Sequence, residues 1–378
     1  MVDIIKVRSK NDQNEFLNFP LRLYKDCEYF VPPLWADEKK IFSKNYIYND
    51  SCESEYFLAK KDGVTVGRIS AILQRASNEK HGEKRVRFTR FDCIDDTEVS
   101  RALFSAVEDF ATEKGMDTVC GPLGFSDLER EGLLIEGFDR LSTYEEQYNY
   151  DYYPKLVEDS GYAKEVDWNE SILRAPDPES IAQMKKMSEF VMNRYKLRIG
   201  KAKNVGDFIN KYADGLFELI DIGYEGLYGT VPFTDGMKKM MIDNFKLIID
   251  LKYVAAILDE NDKIVCMGIC FPSLARAVQR SRGHMTPAAL VRLLGAIKHP
   301  KVLDLGLIAV HPEYLNRGIT AIITAELMRM LAEDNIEYAE TNLNLEDNFA
   351  IQNQWKRFPR EIHKRRRAYV KKVTKAGD

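Results

Sequence analysis

Apolar residues in this chain follow two rhythms, an alternation of two and a spacing of three to four. In "YFLAKKDGVTVGRISAIL" (residues 56–73) two β-rich runs flank Asp62-Gly63, the pair preferred in two-residue hairpin loops, which predicts a β-hairpin. "RVRFTRFDC" and "MDTVCGPL" predict further strands. Between them, "DDTEVSRALFSAVEDFATEKG" places Val99, Leu103, Ala106, Val107 and Phe110 on one helical face. Asp95 and Glu98 offer a capping box at its start and Gly115 a stop. "YYPKLVEDSGY" predicts a short helix ended by Gly161. The order is hairpin, strand, helix, strand, helix.

Two prolines in "RAPDPES" (residues 174–180) punctuate the chain, and the order then recurs. "SIAQMKKMSEFVMNRYKLR" and "NKYADGLFELIDIGYEGL" predict helices, and "YVAAILDENDKIVCMGICF" predicts a hairpin around Asn261-Asp262. "TPAALVRLLGAIKHP" predicts a helix and "KVLDLGLIAV" a strand. After a loop comes a helix striped by Ile319, Ile322, Ile323, Leu327, Met330 and Leu331. "IEYAETNLNL" predicts a strand, "NFAIQNQWKRF" a short helix and "EIHKRRRAYVKKV" a last strand. This weak duplication predicts an α/β (α+β mixed) protein of two units, residues 1–175 and 176–378. Each is a mixed, mostly antiparallel sheet flanked by helices. A length of 378 residues suits two cores better than one.

Charge and cysteine usage narrow the function. A net charge of -4 and a pI near 5.9 argue against nucleic acid as a partner. Of the six cysteines only Cys266 and Cys270 are close, and four residues along a strand is too far for a disulfide or a compact metal site. The five histidines show no zinc spacing. The pattern implies a reduced, cytoplasmic protein without a metal. The N-terminus lacks a signal-peptide pattern and no apolar run is long enough for a transmembrane segment, which leaves peripheral membrane contact open. The candidate for that contact is the C-terminal basic run: Lys356, Arg357, Arg360, Lys364, Arg365, Arg366, Arg367, Lys371, Lys372 and Lys375, against Glu361 alone. It is read either as a charge-blunted edge strand or as a field for a phosphate or an anionic membrane.

The strongest chemical signal is "IAVHPEYLNRGITAIITAELMRML" (residues 308–331), a strand, a loop and a helix. The first N–H groups of a helix have no internal partner and its N-terminal end is positive, so a phosphate placed there gains several hydrogen bonds. Gly318 permits close approach of a ligand and Arg317 adds charge; the plainer alternative is a simple turn.

"VHPEYLNRGITAIIT" resembles the acyl-CoA pyrophosphate loop of the GNAT acyltransferase superfamily. Gly318 matches its first glycine, while Leu315 and Thr320 replace the usual Gln/Arg and the second Gly/Ala. "NLEDNFAIQNQWKRF" resembles a later segment of such enzymes: Asn348 opens a helix, and Trp355 stands where the family carries a proton-donating tyrosine. Over nearly its whole length the chain resembles a bacterial N-acyltransferase-like family related to bacterial ceramide synthases. The shared phrases are "FVPPLW", "DGVTVGRISA", "RFTRFDCIDD", "CGPLGFS", "LEDN" and "HKRRRAYV".

The resemblance implies two tandem GNAT-like units. The first is degenerate: its loop, in "FDCIDDTEVSRAL", has no glycine and carries the adjacent aspartates Asp95 and Asp96, and its later segment, "YNYDYYPKLVEDSGY", opens with Asn149. The second holds acyl-CoA or acetyl-CoA, or an acyl carrier protein thioester. The implied contacts are the backbone of Ile308, Ala309 and Val310, the loop residues Asn316, Arg317, Gly318, Ile319 and Thr320, and Asn348 with Trp355. The acyl group passes directly to an amine, either a small molecule or a lipid of the sphingoid type. Tyr224 and Tyr228, in "IGYEGLYGTVPF", are read as a wall of the acceptor pocket or as packing.

Strand alternation puts Glu340, Asn342, Asn344 and Glu346 of "ETNLNLE" on one face. A polar face on an interior strand is costly unless it is used. The attacking amine must shed a proton, so Glu346 is the first candidate base and Glu340 the second; the alternative is a solvated face or a helix cap. Two other function classes stay in view. One is a non-catalytic binding protein that kept the fold. The other is an aminoacyl-tRNA-dependent peptidyl transferase, which the acidic pI disfavours.

Overall fold

The structure, a computed structural model, describes residues 1–373. It divides into two compact units. The first contains Met1–Asn169, Ala275–Val291 and the chain from His363; the second contains Glu170–Leu274 and Arg292–Ile362.

The first unit opens with strand β1 (Asp3–Lys6) and helix α1 (Lys10–Leu23), which is closed at its start by a Ser9/Asp12 capping box. The short helix α2 (Trp35–Glu38) precedes hairpin β2 (Cys52–Lys61) and β3 (Val64–Gln74). Asp62 and Gly63 between them both take positive φ, 50° and 78°, as a two-residue hairpin loop requires. Helix α3 (Arg75–His81) leads to β4 (Arg85–Cys93), α4 (Thr97–Glu113), β5 (Thr118–Gly121) and β6 (Leu133–Glu136). Helix α5 (Tyr153–Asp159) and β7 (Ala163–Leu173) follow. β1, β2, β3 and β4 pair antiparallel in sequence order, and β4 pairs parallel with β5. Helix α4 buries Val99, Leu103, Phe104, Val107 and Phe110 in the core with Phe88, Phe91 and Ile69. The N-cap of α4 is Asp96, one residue beyond the expected Asp95.

In the second unit helices α6 (Pro178–Arg194), α7 (Val205–Tyr224) and α8 (Asp235–Ile248) accompany strands β8 (Arg198–Ile199), β9 (Val254–Leu258) and β10 (Ile264–Pro272). Helix α9 (Ala275–Ser281), part of the first unit, and α10 (Pro287–Lys298) come next along the chain. β11 (Val302–Val310), α11 (Thr320–Glu333) and β12 (Tyr338–Thr341) follow them. The sheet runs from the end of β7 through β12, β11, β10 and β9 to β8. Among the described strands along this path only the β11–β12 pair is parallel. Alternation decides which helix each strand residue meets. Ala255, Ile257 and Cys266 pack against Val191 of α6 and Ile322 of α11. Ala256, Leu258 and Met267 pack against Leu216 and Ile220 of α7.

The strand expected through residue 345 stops at Thr341. A separate two-residue strand, β13 (Asn344–Leu345), precedes α12 (Phe349–Trp355). Glu340, Asn342, Asn344 and Glu346 therefore do not share one continuous strand face.

Two late stretches belong to the first unit for local reasons. Trp35 N–H donates to the carbonyl of Gly283 (2.9 Å), and Arg282 donates to that of Leu21 (2.8 Å). The last strand, β14 (Arg360–Lys372), ladders onto β5 and β6. This corrects the expectation of a solvated basic edge, because its cations are spent internally. Arg365 and Arg367 both reach Asp167, at 3.0 and 2.8 Å, Lys371 reaches Glu108 (2.7 Å), and Lys372 reaches Asp117 (3.1 Å). Lys364 and Arg366 are buried. Lys375 lies outside the described residues.

Candidate functional site

The site begins where two parallel strands part. β11 and β12 stay in register from Val302↔Tyr338 to Leu305↔Thr341. β11 then continues to Val310 while β12 ends, so the last five residues of β11 have an open edge on that side. The hydrogen-bond phase of that edge follows from its other neighbour. His311 N–H donates to Val265 O (2.9 Å), next to the Val310↔Cys266 pair. In an antiparallel ladder bonded and non-bonded pairs alternate. Ala309 therefore bonds toward β10, whereas Ile308 and Val310 turn their N–H and C=O toward the open edge. Of the three expected backbone contacts, Ile308 and Val310 are presented; Ala309, buried, is not. The hydroxyl of Tyr224, at the end of α7, donates to the carbonyl of Ile308 (3.0 Å). Tyr228 is half-buried in the loop that follows α7.

Beyond β11 the chain makes a 3-10 turn at Pro312–Tyr314 and enters α11 through Asn316 and Gly318, both at positive φ (62° and 76°). Glycine suits that backbone, and a Cβ at 318 would meet only Val191 Cγ2, at 3.6 Å. Helix α11 has Ile319 at its N-cap and no side-chain cap. Arg317 N–H reaches Tyr314 O and Ala321 N–H reaches Gly318 O. Among the described residues nothing accepts from the N–H of Asn316, Gly318, Ile319 or Thr320. Asn316, Arg317 and Gly318 are exposed, Thr320 is half-buried, and Ile319 anchors the turn in the core. The Arg317 guanidinium lies over the rings of Tyr314 (5.2 Å) and Tyr195 (5.8 Å) and makes no ion pair among the described residues. The result is a positively charged cradle of main-chain donors, of the kind that binds phosphate oxygens.

The first unit shows the same framework shut by its own residues. There β4 pairs with β5 only over Arg85–Arg87 and runs on to Cys93. The Cys93 N–H is taken by the Tyr153 hydroxyl (3.1 Å) and the Cys93 carbonyl by the Tyr152 hydroxyl (2.8 Å). Tyr153 is buried, joined to Tyr24, and Tyr24 in turn to Asp92 (2.7 and 3.1 Å). Burial pushes the Tyr24 and Tyr153 phenols far above their ordinary range, so they stay protonated. The helix that follows is capped from within: Asp96 accepts from Glu98 N–H (2.9 Å) and Val99 N–H (3.4 Å). Its carboxyl is held below the usual range by Lys61. Asn149 clamps Leu134 of β6 by its N–H and its carbonyl (2.7 and 3.0 Å), rather than opening α5 as expected.

The remaining expected residues of the second unit separate into framework and mouth. Trp355 is 2% exposed, in the core with Leu303, Leu305 and Leu327. Its indole N–H donates to the side-chain Oδ1 of Asn344 (2.7 Å), which ties α12 to the short strand β13. Asn348 caps α12 by accepting from Ile351 N–H (3.2 Å). Glu340 is buried in the paired part of β12, opposite Asp304 of β11 and Ile172 of β7. Glu346 is half-buried past the fork. Asn342 sits directly after the last paired residue, and its Oδ1 is buried with no hydrogen-bond partner among the described residues. The plug formed by Tyr152 and Tyr153 left no local signal in the sequence beyond the run of tyrosines itself.

No family model matches the chain. It is 28% identical to Protein YghO of Escherichia coli (strain K12), over 97% of this chain and 94% of that protein. It is 25% identical to the bacterial ceramide synthase of Caulobacter vibrioides (strain NA1000 / CB15N), over 79% of this chain and 77% of that one. Among solved structures it is similar to a tandem GNAT protein from the clavulanic acid biosynthesis pathway, solved without AcCoA. The TM-score is 0.56 and the identity 11%, with 100% of both chains covered. The chain has the tandem GNAT fold.

Proposed function

We propose that this protein is an N-acyltransferase that moves an acyl group from a CoA-type thioester directly to an amine, with the thioester held by the second unit. One observation carries the reading: α11 begins with free main-chain donors, whereas α4, at the matching place, is capped by Asp96. The same framework is closed in one unit and open in the other, and the open one is electropositive.

The residues present suit acyl-CoA, acetyl-CoA or the phosphopantetheine arm of an acyl carrier protein. The N–H groups of Asn316, Gly318, Ile319 and Thr320 would receive phosphate oxygens, with Arg317 adding charge. The outward amides of Ile308 and Val310 would pair with the amides of an extended arm, as a sheet edge pairs with an added strand. The bound thioester supplies an activated carbonyl. The amine nitrogen forms a bond to that carbon, the C–S bond breaks, and the sulfur leaves as thiolate. Asn342 Oδ1, buried and without a hydrogen-bond partner among the described residues, would accept from an amine N–H and orient it. Glu346 is assigned the departing proton, with Glu340 the second candidate. Trp355 cannot act as an acid, and none is required, since a thiol of ordinary pKa, about 8.5, departs readily as thiolate near neutral pH.

A lipid amine of the sphingoid class is the favoured acceptor, supported by the similarity to the Caulobacter protein, with Tyr224 and Tyr228 on the acceptor side. The test is release of free thiol from acetyl-CoA and long-chain acyl-CoAs, with small amines and a sphingoid base as acceptors. Amine-dependent thiol release supports the reading. Tight acyl-CoA binding without release would favour a non-catalytic carrier.

A further inference from the structure

Helix α10 is apolar on two faces, and only one of them is used. Ala289 and Leu293 are buried. Leu290, Val291 and Leu294 point outward, 49%, 71% and 56% exposed, and Met285 in the approach to the helix is also exposed. Pro287, Leu290, Val291, Leu294 and Lys298 fall at i, i+3, i+4, i+7 and i+11, which is one stripe of a helix. A helix that is hydrophobic all round is ordinarily covered.

The sequence on either side of this stripe is cationic. No aspartate or glutamate occurs between Asp262 and Asp304. Across residues 273–303 the chain instead carries Arg276, Arg280, Arg282, Arg292, Lys298 and Lys301, all exposed. Arg276, Arg280, Arg292, Lys298 and Lys301 make no ion pair among the described residues. The contrast with β14, whose cations are tied to internal carboxylates, is direct.

We propose that α10 is a docking helix for an anionic lipid surface. Its outer leucines and valine would sink into the acyl boundary while Arg292 and Lys298 stay at headgroup level. An exposed apolar stripe on a helix that carries the unpaired cations Arg292 and Lys298, in a segment of sequence without a carboxylate, complements such a surface. At 12 residues the helix is about 18 Å long at 1.5 Å per residue, so it would lie in the interface rather than cross it. The proposal does not depend on acyl transfer.

The test is co-sedimentation of the full chain with vesicles of phosphatidylcholine alone and of phosphatidylcholine with phosphatidylglycerol. The expected result is binding to the anionic vesicles only, weakened by salt. R292Q and K298Q should each lower the partition about fivefold, the equivalent of about 1 kcal/mol for each cation near a charged surface. L290E/L294E should bring binding to background with an unchanged melting temperature, since both side chains are exposed. Equal binding to both vesicle types, no binding, or binding retained by L290E/L294E overturns the proposal. So does a wild-type dimer in light scattering that L290E/L294E dissociates without any vesicle binding, which would make this face a contact between copies.

Discussion

Replacing Thr320 by Asp would put a carboxylate in the first turn of α11, beside the open main-chain donors, one position later than the N-cap place that Asp96 holds at α4. Thr320 is the first residue of α11 and is half-buried, so an aspartate fits there without disturbing the core. A carboxylate in the first turn of a helix stabilises it by about 0.3–1 kcal/mol, so T320D should melt at or slightly above the wild-type temperature. Ligand binding should move the other way. Two unit charges about 6 Å apart repel by roughly 0.7 kcal/mol in a water-like dielectric and roughly 2.8 kcal/mol at an effective value of 20. An exposed loop lies between those limits, and about 1.4 kcal/mol corresponds to a tenfold loss of affinity. Calorimetric titration with CoA and with ADP should show that loss for both, shrinking as salt is raised. T320N, which lacks the charge, should lose much less. A folded T320D that binds CoA within about twofold of wild type, against the roughly tenfold loss expected from charge repulsion, would refute the assignment of the cradle.

Removing the Tyr224 hydroxyl should open the strand edge. Y224F loses one hydrogen bond to the Ile308 carbonyl, worth about 0.5–1.5 kcal/mol net, so CoA should bind about fivefold tighter and ADP, which lacks the amide arm, should bind unchanged. W355F removes the donor to Asn344 and some core volume; a loss of about 2–4 kcal/mol, read from the urea midpoint, is expected. Glu131, in the first unit, is buried with Oε1 unpartnered among the described residues, and burial raises its folded pKa well above the ordinary range. Its folded form therefore holds a proton that the unfolded chain releases, and its presence costs stability as pH rises above the unfolded carboxyl range. E131Q, a neutral mimic, should raise the melting temperature at pH 7–8, with a difference that vanishes toward pH 4; a constant difference at all pH values would contradict this.

The candidate loop was legible because its signals are local. The apolar stripe of α11, the glycine needed at positive φ and the preceding strand all lie within residues 308–331. Helix α8 was not read, since only Met237 of its fourteen residues is buried and its pattern is correspondingly weak. Helix α1 carries Pro20 inside it, which masks a helix to any local reading. The basic strand was misread because the carboxylates that neutralise it, Asp167, Glu108 and Asp117, are some 200 residues away or more. Trp355 looked like a ligand contact by position; its partner, Asn344, was itself assigned to a strand face that the break at residues 342–343 removes. Local rhythm thus recovered elements and turns, while burial, ion pairing and edge capping depended on contacts between distant residues.

The most direct measurement is the number of CoA molecules bound per chain, counted by native mass spectrometry of the intact protein. One per chain is predicted, needing about tenfold more CoA to fill in T320D, as charge repulsion requires, and unaffected by D96N. Two per chain would contradict the sealing of the first unit by Asp96, Tyr152 and Tyr153, and none at saturating CoA would contradict the assignment of the second.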